Sequence, residues 1–300
     1  MAPSRLPFRR RLVHTAVAGV LIGLGVGCSD KPTPVVTDVE PKQEALAKDS
    51  QGNAVESKMN VIAKAGIDAK YTQTFAQATI TDDIPEGAQL PVDRTISGKG
   101  TGQLRLMVEE EWDKIELVSS ETGKPIPYIA TVATSMGDFQ ITLRPDLSPN
   151  HVRNFLALSK VGYYDGLRID RIVHQVALDE QMMPKSHLDL IKAGCPLGIG
   201  EEGHGHIGYF MRPELSDEVH EEGTVGFWHE DSAESGGTRF YITLGAAPVL
   251  DKRFTIVGKV TSGLDIVKKV ASSPVLGDTY PEVEWPKEPI TIHKVSFSKP

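Results

Sequence analysis

The side chains able to do chemistry in this 300-residue chain fall into a few small groups. His204-Gly205-His206, with Glu201 and Glu202 before it and His220 beyond, offers the imidazoles and carboxylates that bind zinc or copper. The pair sits in a glycine-rich stretch with no third ligand at a fixed spacing, so the expectation is polar loop surface and no metal site. Cys195, in Ala193-Gly194-Cys195-Pro196, reads as a small buried residue near a strand end rather than a redox thiol. The other cysteine is Cys28, and two cysteines exclude a disulfide scaffold. A formal net charge of -8 argues against nucleic-acid binding, because phosphate backbones need a basic footprint and none is visible beyond the first eleven residues.

Those first residues have their own explanation. Arg5, Arg9, Arg10 and Arg11 precede an apolar, glycine-rich run over 12–26, the layout of an export signal spanning residues 1–27. The run closes in Leu24-Gly25-Val26-Gly27-Cys28, which resembles the bacterial lipoprotein box, where small residues precede a cysteine that carries lipid after cleavage. Gly25 stands where that box prefers leucine. Plain cleavage and an uncleaved anchor are the alternatives, and all three place the mature chain outside the cytoplasm. With Cys28 lipidated, the membrane is reached through that anchor only. Loss of residues 1–27 removes four arginines and no acidic residue, so the exported chain is more acidic still.

The elements that must position any site come later. Residues 28–57 are polar and charged, with Pro32, Pro34 and Pro41, too poor in apolar surface to offset chain entropy, and read as a disordered tether. Residues 58–127 form an N-terminal extension packing on or near the main domain. Within it Val61, Ile62, Ala65 and Ile67 suggest a short helix and Ile84-Pro85-Glu86-Gly87 a turn. Leu104, Leu106, Met107, Trp112 and Ile115 suggest a helix or a helix-strand unit, with Trp112 as packing anchor. From Tyr128 the apolar period changes to two, and Ile129, Thr131 and Ala133 face Phe139, Ile141 and Leu143 across Gly137-Asp138 as a β-hairpin. Ser148 as cap and Pro149 at the first helical position open a helix with Val152, Phe155 and Leu156 on one face. Another helix fits 264–271, capped by Ser262. Strands fit 167–173, 224–227, 240–244, 255–260 and 290–297. Many short strands with two helices point to a mainly β barrel or sandwich over 128–300.

Within that region the runs Thr134-Ser135-Met136-Gly137-Asp138-Phe139, Pro149-Asn150-His151-Val152-Arg153-Asn154-Phe155, Gly162-Tyr163-Tyr164-Asp165-Gly166 and Ile169-Asp170-Arg171-Ile172-Val173 come first. Ala193-Gly194-Cys195-Pro196, Gly223-Thr224-Val225-Gly226, Gly237-Thr238-Arg239-Phe240-Tyr241-Ile242-Thr243, Leu250-Asp251 and Phe254-Thr255-Ile256-Val257-Gly258 follow. As an ordered set they resemble the cyclophilin prolyl isomerases over residues 128–298. The resemblance implies an eight-stranded antiparallel β-barrel capped by two α-helices, with a substrate groove on its outer wall. It also implies cis/trans rotation about X-Pro bonds in proline-containing polypeptides, against a barrier of about 18–20 kcal/mol set by amide resonance. No bond breaks, so neither nucleophile, metal nor cofactor is needed. By the same resemblance Arg171 is the donor to the proline nitrogen, a task suited to a permanently charged, weakly hydrated guanidinium. Tyr241, Leu250, Phe254 and Leu190 fall on the apolar positions that grip the proline ring.

The polar positions of the family pattern are changed. Lys192 and Arg239 stand for two glutamines, and Asp189 for a phenylalanine. His229 replaces a small residue, Glu230 replaces an asparagine, and Trp228 beside them adds bulk that narrows the groove. Lysine and arginine only donate, so Arg171 is expected to lose two acceptors and to meet two cations. Residues 174–188 read as an insertion beside the site. Two functions follow: an isomerase assisting the folding of exported proteins, or a weakly active or inactive cyclophilin-like binding or scaffold module of the cell envelope.

Overall fold

The structure is a computed structural model that describes residues 67–178 and 184–300, all within one compact unit. The expectations for the export signal, Cys28, the tether and the helix around Val61 lie outside the described residues.

In chain order the elements are helix α1 (Phe75–Ala78), strand β1 (Thr79–Ile80), helix α2 (Thr101–Trp112) and strands β2 (Ile129–Thr134) and β3 (Gly137–Leu143). Helix α3 (Pro149–Lys160) precedes strands β4 (Ile169–Leu178), β5 (Pro184–Ala193), β6 (Phe210–Met211), β7 (Thr224–Phe227), β8 (Phe240–Thr243) and β9 (Thr255–Ser262). Helix α4 (Leu264–Ala271) and strand β10 (Ile292–Ser298) complete the chain. Eight strands form one antiparallel sheet in the order β10-β2-β3-β9-β7-β8-β5-β4. Its two edges meet where Gly166 N donates to Ile292 O, Ile292 N to Leu167 O and Ile169 N to Ile290 O, which closes the barrel. The mainly β, helix-capped fold is therefore as expected.

Alternation along the strands fills the barrel. Val132, Phe139, Ile141, Ile172, Ile191, Phe240, Ile242 and Val257 point inward to a core that also takes Val152, Phe155 and Leu156 of α3. Helix α3 starts at Pro149 after Ser148 as expected, but the Ser148 side chain does not cap it. Ser148 Oγ donates to Ile256 O at 2.7 Å, and the first amides of the helix go instead to Glu214, from Asn150 N at 3.1 Å and His151 N at 2.8 Å. A carboxylate there satisfies orphan donors and complements the helix dipole at once. Helix α4 covers the expected residues, but Gly263 rather than Ser262 precedes it, at φ 74°. A side chain at 263 would place its Cβ 2.5 Å from Asp138 O, so glycine is required.

Residues 67–127 share the barrel's core. Phe75 meets the Trp112 ring edge-on at 5.3 Å, and Trp112 Nε1 donates to Gln73 O. The buried face of α2 is Thr101, Leu104, Val108 and Trp112, whereas Leu106 and Met107 are exposed. Period 3.6 explains the difference: 106 and 107 lie on the side away from α3.

Candidate functional site

The β4–β5 hairpin supplies half of the site. Its register sets Arg171 opposite Lys192 and Val173 opposite Leu190, so these four side chains share the outer face while Ile172 and Ile191 enter the core. Strand β8 adds Tyr241 opposite Lys192, and β7 places Gly226 opposite Tyr241. Val173, Leu190, Tyr241, Ala247, Leu250 and Phe254 form an apolar cluster separate from the barrel core, with Leu188 and Trp228 packed against it. Trp228 stacks on Phe254 at 5.0 Å, and His229 stacks on the same ring at 4.0 Å. The stretch expected as an insertion is the far half of this hairpin: β4 runs on to Leu178 and β5 starts at Pro184.

The Tyr241 ring is held from beneath. His220 Nδ1 lies 2.8 Å from Asp251 Oδ1, and its Nε2 lies 2.7 Å from the Tyr241 hydroxyl. Burial lowers the His220 pKa, opposed by Asp251, so the neutral ring donates to Asp251 and accepts from Tyr241. The hydroxyl itself rests over Gly226, where a Cβ would fall 2.3 Å from it.

The cationic substitutions are compensated. Arg239, 1% exposed, donates from Nη2 to Asp170 at 2.8 Å and from Nη1 to Glu230 at 3.2 Å. Burial opposes its charge, but Asp170 above all, with Glu230, raises its pKa beyond the usual arginine range. Asp170 Oδ2 also accepts from Cys195 N, and Glu230 Oε2 from Trp228 Nε1. Arg239 is thus the centre of a buried network and not a free cation beside Arg171. Lys192 differs. Its Nζ sits 3.6 Å above the Trp228 ring, and burial first, then Arg239, lowers its pKa to about 7. Asp189 pairs with His174 at 2.7 Å, away from the apolar cluster.

Arg171 is 3% exposed. Its Nε and Nη2 donate to Gly200 O at 3.2 and 3.0 Å, its Nη1 donates to Pro281 O at 3.0 Å, and Glu284 lies 3.6 Å from Nη1. The rings of Tyr280 and Trp285 flank it at 5.2 and 5.5 Å. The acceptors expected to be missing are therefore present, as main-chain carbonyls and one carboxylate from outside the barrel wall. Gly200, at φ 60°, has no space for a side chain, because a Cβ would stand 2.8 Å from both Arg171 and Arg239. A cavity of about 210 Å³ remains among Arg171, Leu190, Lys192, Trp228, Glu230, Arg239, Tyr280 and Glu284.

Reasoning from the sequence missed Asp170, Gly200 and the segment from Tyr280 to Trp285, and weighed His220 only as a metal ligand, not as the partner of Tyr241. Asp170 adjoins Arg171, and a carboxylate inside a barrel strand signals a buried ion pair. Residues 272–291 carried one signal, a connection longer than most between α4 and β10. The remaining candidates have structural roles. His206 Nε2 faces Gln89 O and its Nδ1 accepts from Gly208 N, with burial lowering its pKa to about 4. Cys195 is fully buried, which pushes its thiol up. Among the described residues no group of three His, Cys, Asp or Glu side chains is arranged to hold a metal ion.

A family model described as cyclophilin type peptidyl-prolyl cis-trans isomerase/CLD matches residues 129–297. The chain is 32% identical over 148 residues to the peptidyl-prolyl cis-trans isomerase CYP18-2 of Arabidopsis thaliana, covering 49% of this chain and 82% of that protein. It is 30% identical over 134 residues to a probable peptidyl-prolyl cis-trans isomerase of Brucella suis biovar 1, covering 45% of this chain and 66% of that one. A third relative, the peptidyl-prolyl cis-trans isomerase cyp15 of Rhizopus delemar, is 30% identical over 147 residues, which are 49% of this chain and 21% of that protein.

Proposed function

The chain belongs to the cyclophilin-type peptidyl-prolyl cis-trans isomerase family, and from that premise we propose that it rotates X-Pro bonds of exported polypeptides with Arg171 as the essential donor. The observation that supports this most is the placement of Arg171 on the same barrel face as Val173, Leu190, Tyr241, Leu250 and Phe254. An apolar wall holds a proline ring by removing it from water. A cation beside it favours the twisted amide, whose nitrogen lone pair is released from resonance as the bond rotates. Each 1.36 kcal/mol by which the twisted state is preferred over the planar one is tenfold in rate. Little water competes in this setting, since Arg171 and the cluster are buried.

A coupled-protease assay on a short X-Pro peptide tests the proposal. The wild type should accelerate isomerisation, and Arg171→Ala should lose about two orders of magnitude or more, the scale of removing one transition-state donor. Equal rates for the two proteins would reject it. The second reading, a binding module that holds proline-containing segments without turnover, is favoured by one fact: every guanidinium nitrogen of Arg171 already has an acceptor. Proline-peptide binding without acceleration would select it.

Export and anchoring rest on the sequence of residues 1–28. We place the mature chain outside the cytoplasm with lipid on Cys28. Mass spectrometry of the mature N-terminus checks this, and an unmodified terminus at any residue would end the anchoring claim.

A further inference from the structure

The connection between α4 and β10 is built as a strap. Its base closes on itself, with Leu276 N donating to Trp285 O at 2.9 Å and Lys287 N to Pro274 O at 2.8 Å. Its tip crosses to the β4–β5 hairpin. There Glu284, 5% exposed, accepts from Gln175 Nε2 at 2.9 Å and faces Arg171, while Pro281 O takes the Arg171 Nη1 donor. Tyr280 covers the guanidinium with its ring and donates its hydroxyl to Glu202. The residues placed against Arg171 are thus an aromatic residue followed by proline, which is itself an X-Pro segment.

The strap's hold is local. Leu276, Tyr280 and Val283 leave 54%, 54% and 39% of their surface in solvent, so the tip buries little apolar area. A cleft of about 580 Å³ runs beneath it between Gln175, Pro274 and Val283. Beyond Val275, which packs on the core at the base, and the Tyr280 and Trp285 rings over the guanidinium, its attachment is polar and centred on Arg171, and such contacts exchange for water or substrate at small net cost.

We propose that the strap spanning residues 275–285 is an internal ligand of the isomerase site that occupies Arg171, so that a proline-containing substrate must displace it. The proposal rests on the reading of Arg171 as the essential donor. Displacement has a defined consequence: substrate pays for the loss of the strap contacts, and apparent affinity falls by the fraction of molecules with the strap engaged. Removing the strap's grip restores that fraction without touching the apolar wall.

The experiment compares wild type with Tyr280→Ala/Glu284→Ala, each with and without Arg171→Ala. The strap variant should raise kcat/KM on an Ala-Ala-Pro-Phe peptide about tenfold, and Arg171→Ala should abolish the gain. Wild-type activity with no gain in the strap variant overturns the proposal. If neither protein accelerates isomerisation, the Arg171 reading falls and affinity decides: tighter peptide binding by the strap variant supports the strap, and equal binding overturns it. A measurement on unaltered protein guards against a variant that fails to fold. Saturating peptide should increase hydrogen exchange at the amides of Leu276 and Val283, which are bonded to Trp285 O and Thr279 O. Unchanged protection at both overturns the proposal.

Discussion

Lys192 is the side chain whose charge the barrel wall controls most directly. Lysine titrates near 10.5 when free and near 7 here, so the folded chain binds fewer protons than the unfolded one between those values. Stability therefore rises with pH from about 7 to 10.5, and the penalty for the buried cation is complete below 7. Lys192→Met should raise stability by on the order of 1–3 kcal/mol at pH 6, with the gain shrinking toward pH 10. Thermal melts of both proteins across that range check the sign, and a pH-independent difference would contradict it. Arg239 leads to the opposite result. Glutamine there matches the family pattern, and from pattern alone it should relieve crowding of Arg171. In the structure it would strip Asp170, fully buried, of its cation. Breaking such a pair costs about 3–5 kcal/mol, so Arg239→Gln should shift urea unfolding down by that order and leave turnover no faster. Tyr241→Phe should be milder, about 1–2 kcal/mol for the unpaired His220 nitrogen, with turnover kept within about threefold because the ring stays.

Among the elements, the loop of residues 194–208 does more than connect strands. It carries Gly200 to Arg171, and residues 67–127 hold it there: Gln89 N donates to Gly203 O, Ile96 N to Pro196 O, and His206 meets Gln89 O. Helix α2 anchors that support through Trp112, whose ring also lies under Arg153 at 5.5 Å. Truncating a fully buried aromatic side chain costs about 3–5 kcal/mol. Trp112→Ala should lower stability by that amount and raise hydrogen exchange at Gln89 and Ile96, far from the substitution in sequence. Unchanged exchange at those amides would mean that α2 packs without bracing the loop.

For the molecule as a whole, the extension and the barrel share one core, because Phe75, Leu104, Val108 and Trp112 belong to the same buried cluster as the strands' inner faces. The span 128–300 expressed alone should therefore melt well below the full chain, although it contains every strand of the closed sheet. Equal melting temperatures would show that the extension is energetically separate. The barrel, its helices and the apolar wall of the site were legible in the sequence, because period-two alternation, a proline at a helix start and ordered short motifs are written locally. So was the candidacy of Arg171, through motif order. The partners of each charge were not. Asp170 and Glu230 reach Arg239 from 69 and 9 residues away, and Pro281 reaches Arg171 across 110. Residue types alone predicted two uncompensated cations. Only the tertiary structure decided that one is neutralised in the wall, one is stacked on Trp228 with its charge near balance at pH 7, and Arg171 is covered by the chain's own strap. Charge compensation depends on distance in space, and a sequence records distance along the chain.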